Sequence, residues 1–266
     1  HYLLKNDKES IYYDDGSCFF SLDKERGLTL KSFGLIKNKS YYSYIKKYNQ
    51  GYFYSDRLNV DFYSGHNVIE NANSKYSDLD KRGEIKVNKR KNFIIFSNKF
   101  YIKNIATINK QWHFDTKEKI LYLHNKIKLY GNNFLSIRSN YFNLNHEIFD
   151  LKNLKISTKN GGSDNETFSL NKNENFFHDD SLSPKFTAQN CFGNTGGTVS
   201  FGDKKNEINF KVFHQIGTSA PMLCFQNDKN NSYFFRFLTS FKENNDVKSK
   251  FTNKNFESLV SIELKK

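Results

Sequence analysis

The feature that most constrains the fold of this chain is an alternation of apolar and polar residues with a period of two. In the segment INFKVFH, the residues on one face are Ile208, Phe210, Val212 and His214. The segment VSIEL repeats the pattern with Val260, Ile262 and Leu264. Because successive side chains of a strand point to opposite faces, both segments are predicted to be half-buried β-strands.

Two longer stretches also have the composition of strands. Residues 92–108 (NFIIFSNKFYIKNIATI) and 119–130 (KILYLHNKIKLY) are rich in Ile, Phe and Tyr and are interrupted by Asn and Lys. Such residues suit a pleated, half-covered surface. Apolar stripes with helical spacing are hard to find in the chain, so helix is predicted to be a minor component.

Turn signals separate the predicted strands, and nothing divides the chain into parts. Glycine beside a turn-forming neighbour occurs at Asp15-Gly16, Arg26-Gly27, Asn160-Gly161, Thr195-Gly196 and Gly202-Asp203. The chain has only 2 prolines, and proline removes a hydrogen-bond donor from a strand ladder. There is no linker, composition boundary or fixed-period repeat. Residues 1–266 are therefore predicted to form a single all-β domain, a large antiparallel β-sandwich.

Composition and spacing exclude several classes of protein. The cysteines, Cys18, Cys191 and Cys224, have no C-x-x-C spacing, so neither a zinc ribbon nor a disulfide-rich scaffold is indicated, although one bridge stays open. No run approaches the roughly 20 apolar residues of a membrane helix. No metal or other cofactor is predicted. The chain begins at His1 and its first residues have no signal-peptide core, which fits a fragment or a processed form. The expected location is cytoplasmic, or exported with the signal removed.

The positive charge raises the question of nucleic acid. Lysine and arginine total 41 against 28 acidic residues, which gives a net charge of +13, and clustered basic residues mark phosphate-binding proteins. Here the lysines are spread along the chain among asparagines, and tracts such as residues 86–91 (KVNKRK) resemble solvated hairpin tips. The distribution argues against nucleic acid, although a basic nucleic-acid-binding or phage structural protein stays as an alternative.

The segment Gly51–Glu70 (GYFYSDRLNVDFYSGHNVIE) has the side chains of a carbohydrate site. Flat aromatic rings can cover the C–H face of a sugar, and carboxylates and histidine can hold its hydroxyls. The residues expected to contact sugar here are Tyr52, Tyr54, Asp61, Tyr63, His66 and Glu70. The alternative is an aromatic-rich hairpin that packs on a sheet edge.

Two further clusters add candidates for substrate binding. Trp112 and His113 lie in the segment QWHFD; this tryptophan could stack on a sugar, but a single tryptophan in a β-sandwich more often belongs to the core. His178 is followed by Asp179 and Asp180, a set that could bind a divalent cation or act in acid–base chemistry. No further ligand stands at EF-hand spacing, so a polar turn explains that set better.

Motifs of the common hydrolases and nucleotide enzymes are absent from the sequence, including G-x-S-x-G, the P-loop, H-E-x-x-H and G-x-G-x-x-G. Asp61 with Glu70 or Glu166 is a candidate carboxylate pair, but spacing along a β chain does not establish that two acids face one sugar bond. If the chain is an enzyme, it is expected to be a carbohydrate-active epimerase or lyase with a histidine base: His66, His113 or His178.

Five segments, taken in order, resemble a known domain. They are Ser17–Gly34, Gly51–Glu70, Ser139–Leu170, Gly193–Asp203 and Ser232–Phe241. Together they resemble the galactose-mutarotase-like β-supersandwich that follows the catalytic barrel in glycoside hydrolases of the family 57 type. The resemblance implies a supersandwich fold and a place in carbohydrate metabolism, with the catalytic carboxylates of the barrel outside this chain.

A shorter stretch allows a residue-by-residue comparison. Arg138–Leu144 (RSNYFNL) is similar to the N-H-S-Y-F-N-L stretch of sugar mutarotases, whose histidine takes part in acid–base ring opening. Ser139 stands here at the position of that histidine. Serine does not shuttle a proton near neutral pH as imidazole does, so the comparison argues against mutarotase chemistry at this position.

The sequence therefore predicts a carbohydrate-binding or accessory domain of a glycoside-hydrolase-like protein that acts on polysaccharide. Its expected partners are an oligosaccharide or polysaccharide, and a catalytic domain on the same or another chain. The free-standing carbohydrate-active enzyme and the basic nucleic-acid-binding or phage structural protein are the alternatives.

Overall fold

A computed structural model describes residues 1–49, 62–82, 84–150, 152–159, 166–169, 191–193, 197–216, 220–227, 233–243 and 253–265. The strands are β1 (Leu3–Asn6), β2 (Ser10–Asp14), β3 (Cys18–Asp23), β4 (Thr29–Lys37), β5 (Ser40–Ser43), β6 (Ile45–Lys46), β7 (Tyr48–Asn49), β8 (Phe62–Tyr63), β9 (Val68–Asn71), β10 (Lys75–Ser77), β11 (Lys86–Arg90), β12 (Phe93–Ile102), β13 (Ala106–Asp115), β14 (Leu121–Leu129), β15 (Phe134–Leu144), β16 (Lys155–Thr158), β17 (Glu166–Ser169), β18 (Cys191–Gly193), β19 (Thr198–Gly202), β20 (Glu207–Ile216), β21 (Ala220–Asn227), β22 (Tyr233–Glu243) and β23 (Asn255–Lys265). A short 3-10 helix spans His146–Ile148. The part of the chain described here holds no helix of the length and apolarity that crossing a membrane requires. The all-β prediction is confirmed.

The strands form two facing layers. One layer is a nine-stranded antiparallel sheet in the order β11-β12-β13-β14-β23-β20-β19-β16-β17. The other layer contains two sheets. One is five-stranded, in the order β1-β2-β3-β4-β5. The other is seven-stranded: six strands follow the order β10-β9-β15-β22-β21-β18, and the seventh, β6, pairs with β15. Tyr13 and Phe20 of the five-stranded sheet contact Phe114 of β13, with ring centroids 4.7 and 4.9 Å apart. Phe237 of β22 stacks on Phe210 of β20 at 4.6 Å, so both smaller sheets cover the large one.

The alternation of residues along each strand places the core between these layers. On β13, the inward residues Ala106, Ile108, Lys110, Trp112 and Phe114 are buried. On β14, the inward residues are Leu121, Leu123, Asn125, Ile127 and Leu129. The residues between them point away from the other layer, toward what is called the outer face of the nine-stranded sheet. On β20, a bulge between Val212 and His214 interrupts the regular alternation predicted for that segment.

A buried ion pair joins the two layers at the middle of β13. The side chains of Lys110 and Asp78 are both 0% exposed, and Nζ of Lys110 lies 2.8 Å from Oδ2 of Asp78. The ammonium also donates to the carbonyl oxygen of Gly27 at 2.6 Å. Asn67 donates to the same carboxylate from its backbone N–H at 3.0 Å and from Nδ2 at 2.8 Å. These partners offset the cost of removing both charges from water.

The polar network continues through the middle of the sandwich. Asn125 of β14 donates from Nδ2 to Oδ1 of Asn140 on β15 at 2.8 Å. Asn140 then donates to the hydroxyl oxygens of Thr239 and Ser258, each at 2.8 Å. Asn140 has a φ of +53°, and the pairing of β15 with β22 shifts register next to it, between Ser139 and Phe142. The network therefore holds an irregular stretch of β15 in one position against its neighbours.

A glycine allows the tryptophan to pack closely against the backbone. Gly65 has a φ of +87°, and a Cβ placed there would lie 2.5 Å from Cζ2 of Trp112. The indole N–H of Trp112 donates to the carbonyl oxygen of Leu28 at 2.8 Å. A larger residue at position 65 would therefore collide with the ring.

Candidate functional site

Three residues that the sequence analysis expected to contact sugar lie in the interior. Trp112 and His66 are 0% exposed and Tyr63 is 8% exposed. His66 stacks on Tyr141 with ring centroids 4.7 Å apart, and its Nδ1 accepts a hydrogen bond from the backbone N–H of Tyr63 at 2.7 Å. Contact between these rings and a ligand would require neighbouring parts of the core to separate.

The other members of the expected set are dispersed. Glu70 lies on β9 in the opposite layer, where it accepts a hydrogen bond from Ser136 at 3.0 Å and pairs with Lys75 at 3.5 Å. His113 lies on the outer face of the nine-stranded sheet. Four residues, Tyr52, Tyr54, Asp61 and His178, lie outside the described residues. Among the described members, the structure brings together Tyr63 and His66.

The serine that replaces the mutarotase histidine also lies in the core. Ser139 is 0% exposed, its hydroxyl donates to the side-chain oxygen of Asn67, and it accepts a hydrogen bond from Asn125 at 3.4 Å. Its role is therefore structural, within the polar network.

The outer face of the nine-stranded sheet gathers polar side chains in rows. Because β12, β13, β14 and β23 pair in register, the residues Ser97, Gln111, His124 and Leu259 form one row. The next row contains Lys99, Asn109, Lys126 and Glu257. Side chains in neighbouring strands of one face are close enough to act on the same ligand.

Two adjoining clefts lie over these rows. The first has a volume of about 540 Å³ and is lined by residues that include Lys86, Lys99, Tyr101, Gln111, His124 and Lys126. The second, of about 310 Å³, shares Asn109 and Lys126 with the first and reaches Lys128 and Glu257. The two clefts together are called the outer groove. Ligand sites commonly have volumes of about 300–1,000 Å³. The volume of each cleft falls within this range.

Two histidines and a glutamate form the polar centre of this face. His124 donates from Nε2 to Oε1 of Glu257 at 2.7 Å, and Nζ of Lys126 lies 3.3 Å from the same oxygen. Burial alone would raise the pKa of Glu257, but the hydrogen bonds from His124 and Lys126 outweigh it and the pKa is lowered. Glu257 is therefore an ionised acceptor that orients the ring of His124.

His113 stands beside this pair. Its ring centroid is 6.4 Å from that of His124, and its Nε2 lies 3.1 Å from Oε1 of Gln111. Burial, followed by the charge of His124, lowers the pKa of His113. A neutral imidazole can accept a proton or a hydroxyl hydrogen bond, so the centre combines a base, an oriented imidazole and a carboxylate.

Exposed aromatic rings border the polar centre on both sides. Tyr101 is 61% exposed and Tyr130 is 43% exposed; the hydroxyl of Tyr130 lies 2.5 Å from Oγ1 of Thr107, which is opposite Tyr101 in the sheet. On the other side, Phe213 is 49% exposed, and its ring centroid lies 5.9 Å from that of Tyr122. Such rings offer flat apolar surfaces next to hydrogen-bonding groups.

The described residues contain no group of three His, Cys, Asp or Glu side chains that could hold a metal ion. The polar centre in that part of the chain instead offers amides, imidazoles and one carboxylate, which suit neutral hydroxyl groups.

His124, Glu257 and Gln111 were not among the residues expected from the sequence. The signal that could have found them is the phase of the alternation: His124 is out of phase with Leu121, Leu123 and Ile127, so it must lie on the outer face. The pairing of β14 with β23 could not be predicted from the sequence alone. This pairing brings His124 next to Glu257, although the two residues are 133 positions apart in the chain.

Comparison with solved structures identifies the fold. A galactose mutarotase-like protein from Clostridium acetobutylicum superimposes with a TM-score of 0.55 at 10% identity, over 100% of this chain and 98% of that one. The supersandwich prediction is confirmed: the chain has the galactose mutarotase-like fold. A galactose mutarotase related enzyme from Lactobacillus acidophilus gives a TM-score of 0.56 at 10% identity, over 97% of each chain.

The same fold also occurs within a larger enzyme. A family 36 α-galactosidase from Geobacillus stearothermophilus matches with a TM-score of 0.54 at 10% identity, over 99% of this chain but 41% of that one. No protein-family model matches the sequence, and no curated protein matches it significantly. The comparisons therefore establish the fold.

Proposed function

We propose that the chain binds carbohydrate in the outer groove. The observation that carries the proposal is the His124–Glu257 pair in the groove, with His113 beside it, between exposed aromatic rings. A sugar presents hydroxyls at its edge and C–H groups on its faces, so it needs both kinds of surface at once. Of the residues expected from the sequence, His113 belongs to this centre.

The biological setting that we propose is an accessory domain of a glycoside-hydrolase-like protein, with residues 1–266 as one supersandwich. The match to part of a larger α-galactosidase supports this setting, because that enzyme combines the fold with further chain. The sequence resemblance to domains beside family 57 barrels points in the same direction. In this setting, the chain holds polysaccharide next to a catalytic domain.

A second candidate is catalysis on the sugar itself, as in an aldose epimerase. It is favoured by the lowered pKa of His113 and by the His124–Glu257 pair, because ring opening needs a base and an acid on the two sides of the anomeric centre. The residue that matches the mutarotase histidine is the buried Ser139, so this chemistry would use the histidines of the outer face.

Affinity electrophoresis in gels that contain soluble polysaccharides tests the binding function. We expect His124→Ala and Tyr101→Ala to reduce retardation, because one removes a hydrogen-bonding group and the other an exposed ring. Tyr42→Ala is the matched control, since Tyr42 is 39% exposed on β5 in the other layer. If the wild type binds polysaccharide and both groove variants are retarded as strongly as the wild type, the outer groove is not the binding site.

Polarimetry of freshly dissolved aldoses tests the catalytic alternative. If it holds, His124→Gln and Glu257→Gln slow mutarotation by about 10²–10⁴-fold, the usual contribution of general acid–base catalysis. A wild-type rate equal to the buffer rate at high protein concentration would leave binding as the function.

A further inference from the structure

Four lysines lie along the outer groove. Lys86, Lys99 and Lys126 line the first cleft, and Lys126 and Lys128 line the second. The acidic residues of the two linings are Glu84 in the first and Glu257 in the second. Four lysines against two glutamates leave the groove with two surplus positive charges.

Three of these lysines have no carboxylate partner in the described part of the chain. Lys126 is paired with Glu257, whereas Lys86, Lys99 and Lys128 make no ion pair with any described residue. The hydroxyl of Tyr101 raises the pKa of Lys99 through a hydrogen bond, so that lysine carries its charge throughout the neutral range.

Protection of a sheet edge does not explain these positions. Lysines on edge strands prevent two sheets from pairing edge to edge. Lys86 is on β11, which is an edge strand, but Lys99 is on β12 and Lys128 is on β14, both interior strands of the nine-stranded sheet. The charge lies on the open face of the sheet rather than along its rim.

The spacing of the lysines fits an extended ligand. Lys99 and Lys126 stand in the same row on strands two apart, a lateral separation of about 10 Å. Lys128 is one further row along β14, about 7 Å away. Asn109 lies between Lys99 and Lys126 in their row, and Gln111 lies one row further along β13, on the side away from Lys128. Both are neutral groups that can hold hydroxyls.

We propose that the outer groove takes an anionic glycan, a sugar chain that carries carboxylate or sulfate groups. The inference rests on the proposed carbohydrate function and names its substrate class. The amides and imidazole hold hydroxyls of the sugar rings, Tyr101 covers a ring face, and Lys99 and Lys128 meet the acidic groups. A nucleic acid strand is also anionic, but the amides and imidazole beside the lysines fit a hydroxyl-rich chain better.

Matched probes separate charge from sugar recognition. We would measure binding of oligogalacturonate and of its methyl ester, which has the same backbone and length without the charge, and of heparin oligosaccharide before and after desulfation. The two acidic probes separate carboxylate from sulfate. A single-stranded oligonucleotide of equal charge is the nucleic-acid probe.

The test variant is Lys99→Gln/Lys128→Gln, and the control is Lys5→Gln/Lys8→Gln, which removes the same charge from exposed sites beside the five-stranded sheet. We expect at least one acidic probe to bind more tightly than its methyl-esterified or desulfated partner, which carries less negative charge. We expect the groove variant to weaken that binding about fivefold, as two exposed ion pairs would. The wild-type affinity should fall as salt rises, and the control variant should bind like the wild type.

The remaining outcomes each contradict a different part of the argument. Equal binding of each acidic probe and its less charged partner would overturn the charge inference and leave carbohydrate binding intact. Equal loss in both double variants would show general attraction and overturn the site. Tighter binding of the oligonucleotide would assign the lysines to nucleic acid, and failure of every glycan to bind would refute the carbohydrate function and the inference together.

Discussion

The buried ion pair between Lys110 and Asp78 gives the sharpest test of the interior. In Asp78→Asn, the ammonium keeps the carbonyl oxygen of Gly27 at 2.6 Å but loses the carboxylate at 2.8 Å, at a site with 0% exposure. Removing one partner of a buried pair costs about 3–5 kcal/mol. In a chain of this length, each kcal/mol lowers Tm by about 2 °C, so we expect a drop of about 6–10 °C.

The matched control is the same substitution at the surface. Arg26 and Asp80 are also 2.8 Å apart, but their side chains are 46% and 81% exposed, so Asp80→Asn should cost less than about 1 kcal/mol. Urea unfolding followed by circular dichroism measures the free energy of unfolding of both variants. Similar small losses in the two variants would refute the assignment of Lys110 and Asp78 as a strongly coupled buried pair.

The pH dependence provides an independent check on the same pair. Burial lowers the pKa of Lys110, and the charge of Asp78 opposes that shift. Without the carboxylate, the pKa of the amine falls further, and the neutral amine is the form that burial favours. The stability deficit of Asp78→Asn should therefore shrink as the pH rises, and a deficit that stays constant with pH would contradict this account.

Three further predictions concern individual side chains. Gly65→Ala should lower the free energy of unfolding by about 1–3 kcal/mol more than Gly16→Ala, because both glycines have positive φ but the new methyl group meets Trp112 only at position 65. Trp112→Phe should cost about 1–3 kcal/mol in urea unfolding, because it leaves the carbonyl oxygen of Leu28 without the indole donor. In an NMR titration, the midpoint of His113 should lie below the ordinary histidine value and should rise in His124→Gln, because the second cause of its lowered pKa is removed.

Much of the fold could be predicted from local patterns. The alternation at residues 260–264 corresponds to part of β23, and the aromatic-rich stretch 92–108 corresponds to β12 and the start of β13. The turn predicted at Gly16 has a φ of +81° and the one at Gly27 a φ of +62°. These features depend on neighbouring residues only, which is why the sequence reveals them.

The location of the site could not be predicted in the same way. Trp112 and His113 are adjacent in the chain but lie on opposite faces of β13, and the aromatic content of the segment gives no sign of which residue faces outward. The alternation could have assigned the faces. The sheet order that places β23 beside β14 depends on contacts between distant parts of the chain, so the approach of His124 to Glu257 required the structure.

Because the groove lies on regular strands, the residues that pack the core and the residues that line the groove are different sets and are under different evolutionary constraints. Inward residues of β13 and β14 must fill the space between the layers, whereas their outward neighbours can be exchanged with little disturbance of that packing. Descendants of one ancestral scaffold could therefore acquire different ligand preferences by changing every other residue. Such a division would let architecture persist long after most of the amino acids had diverged.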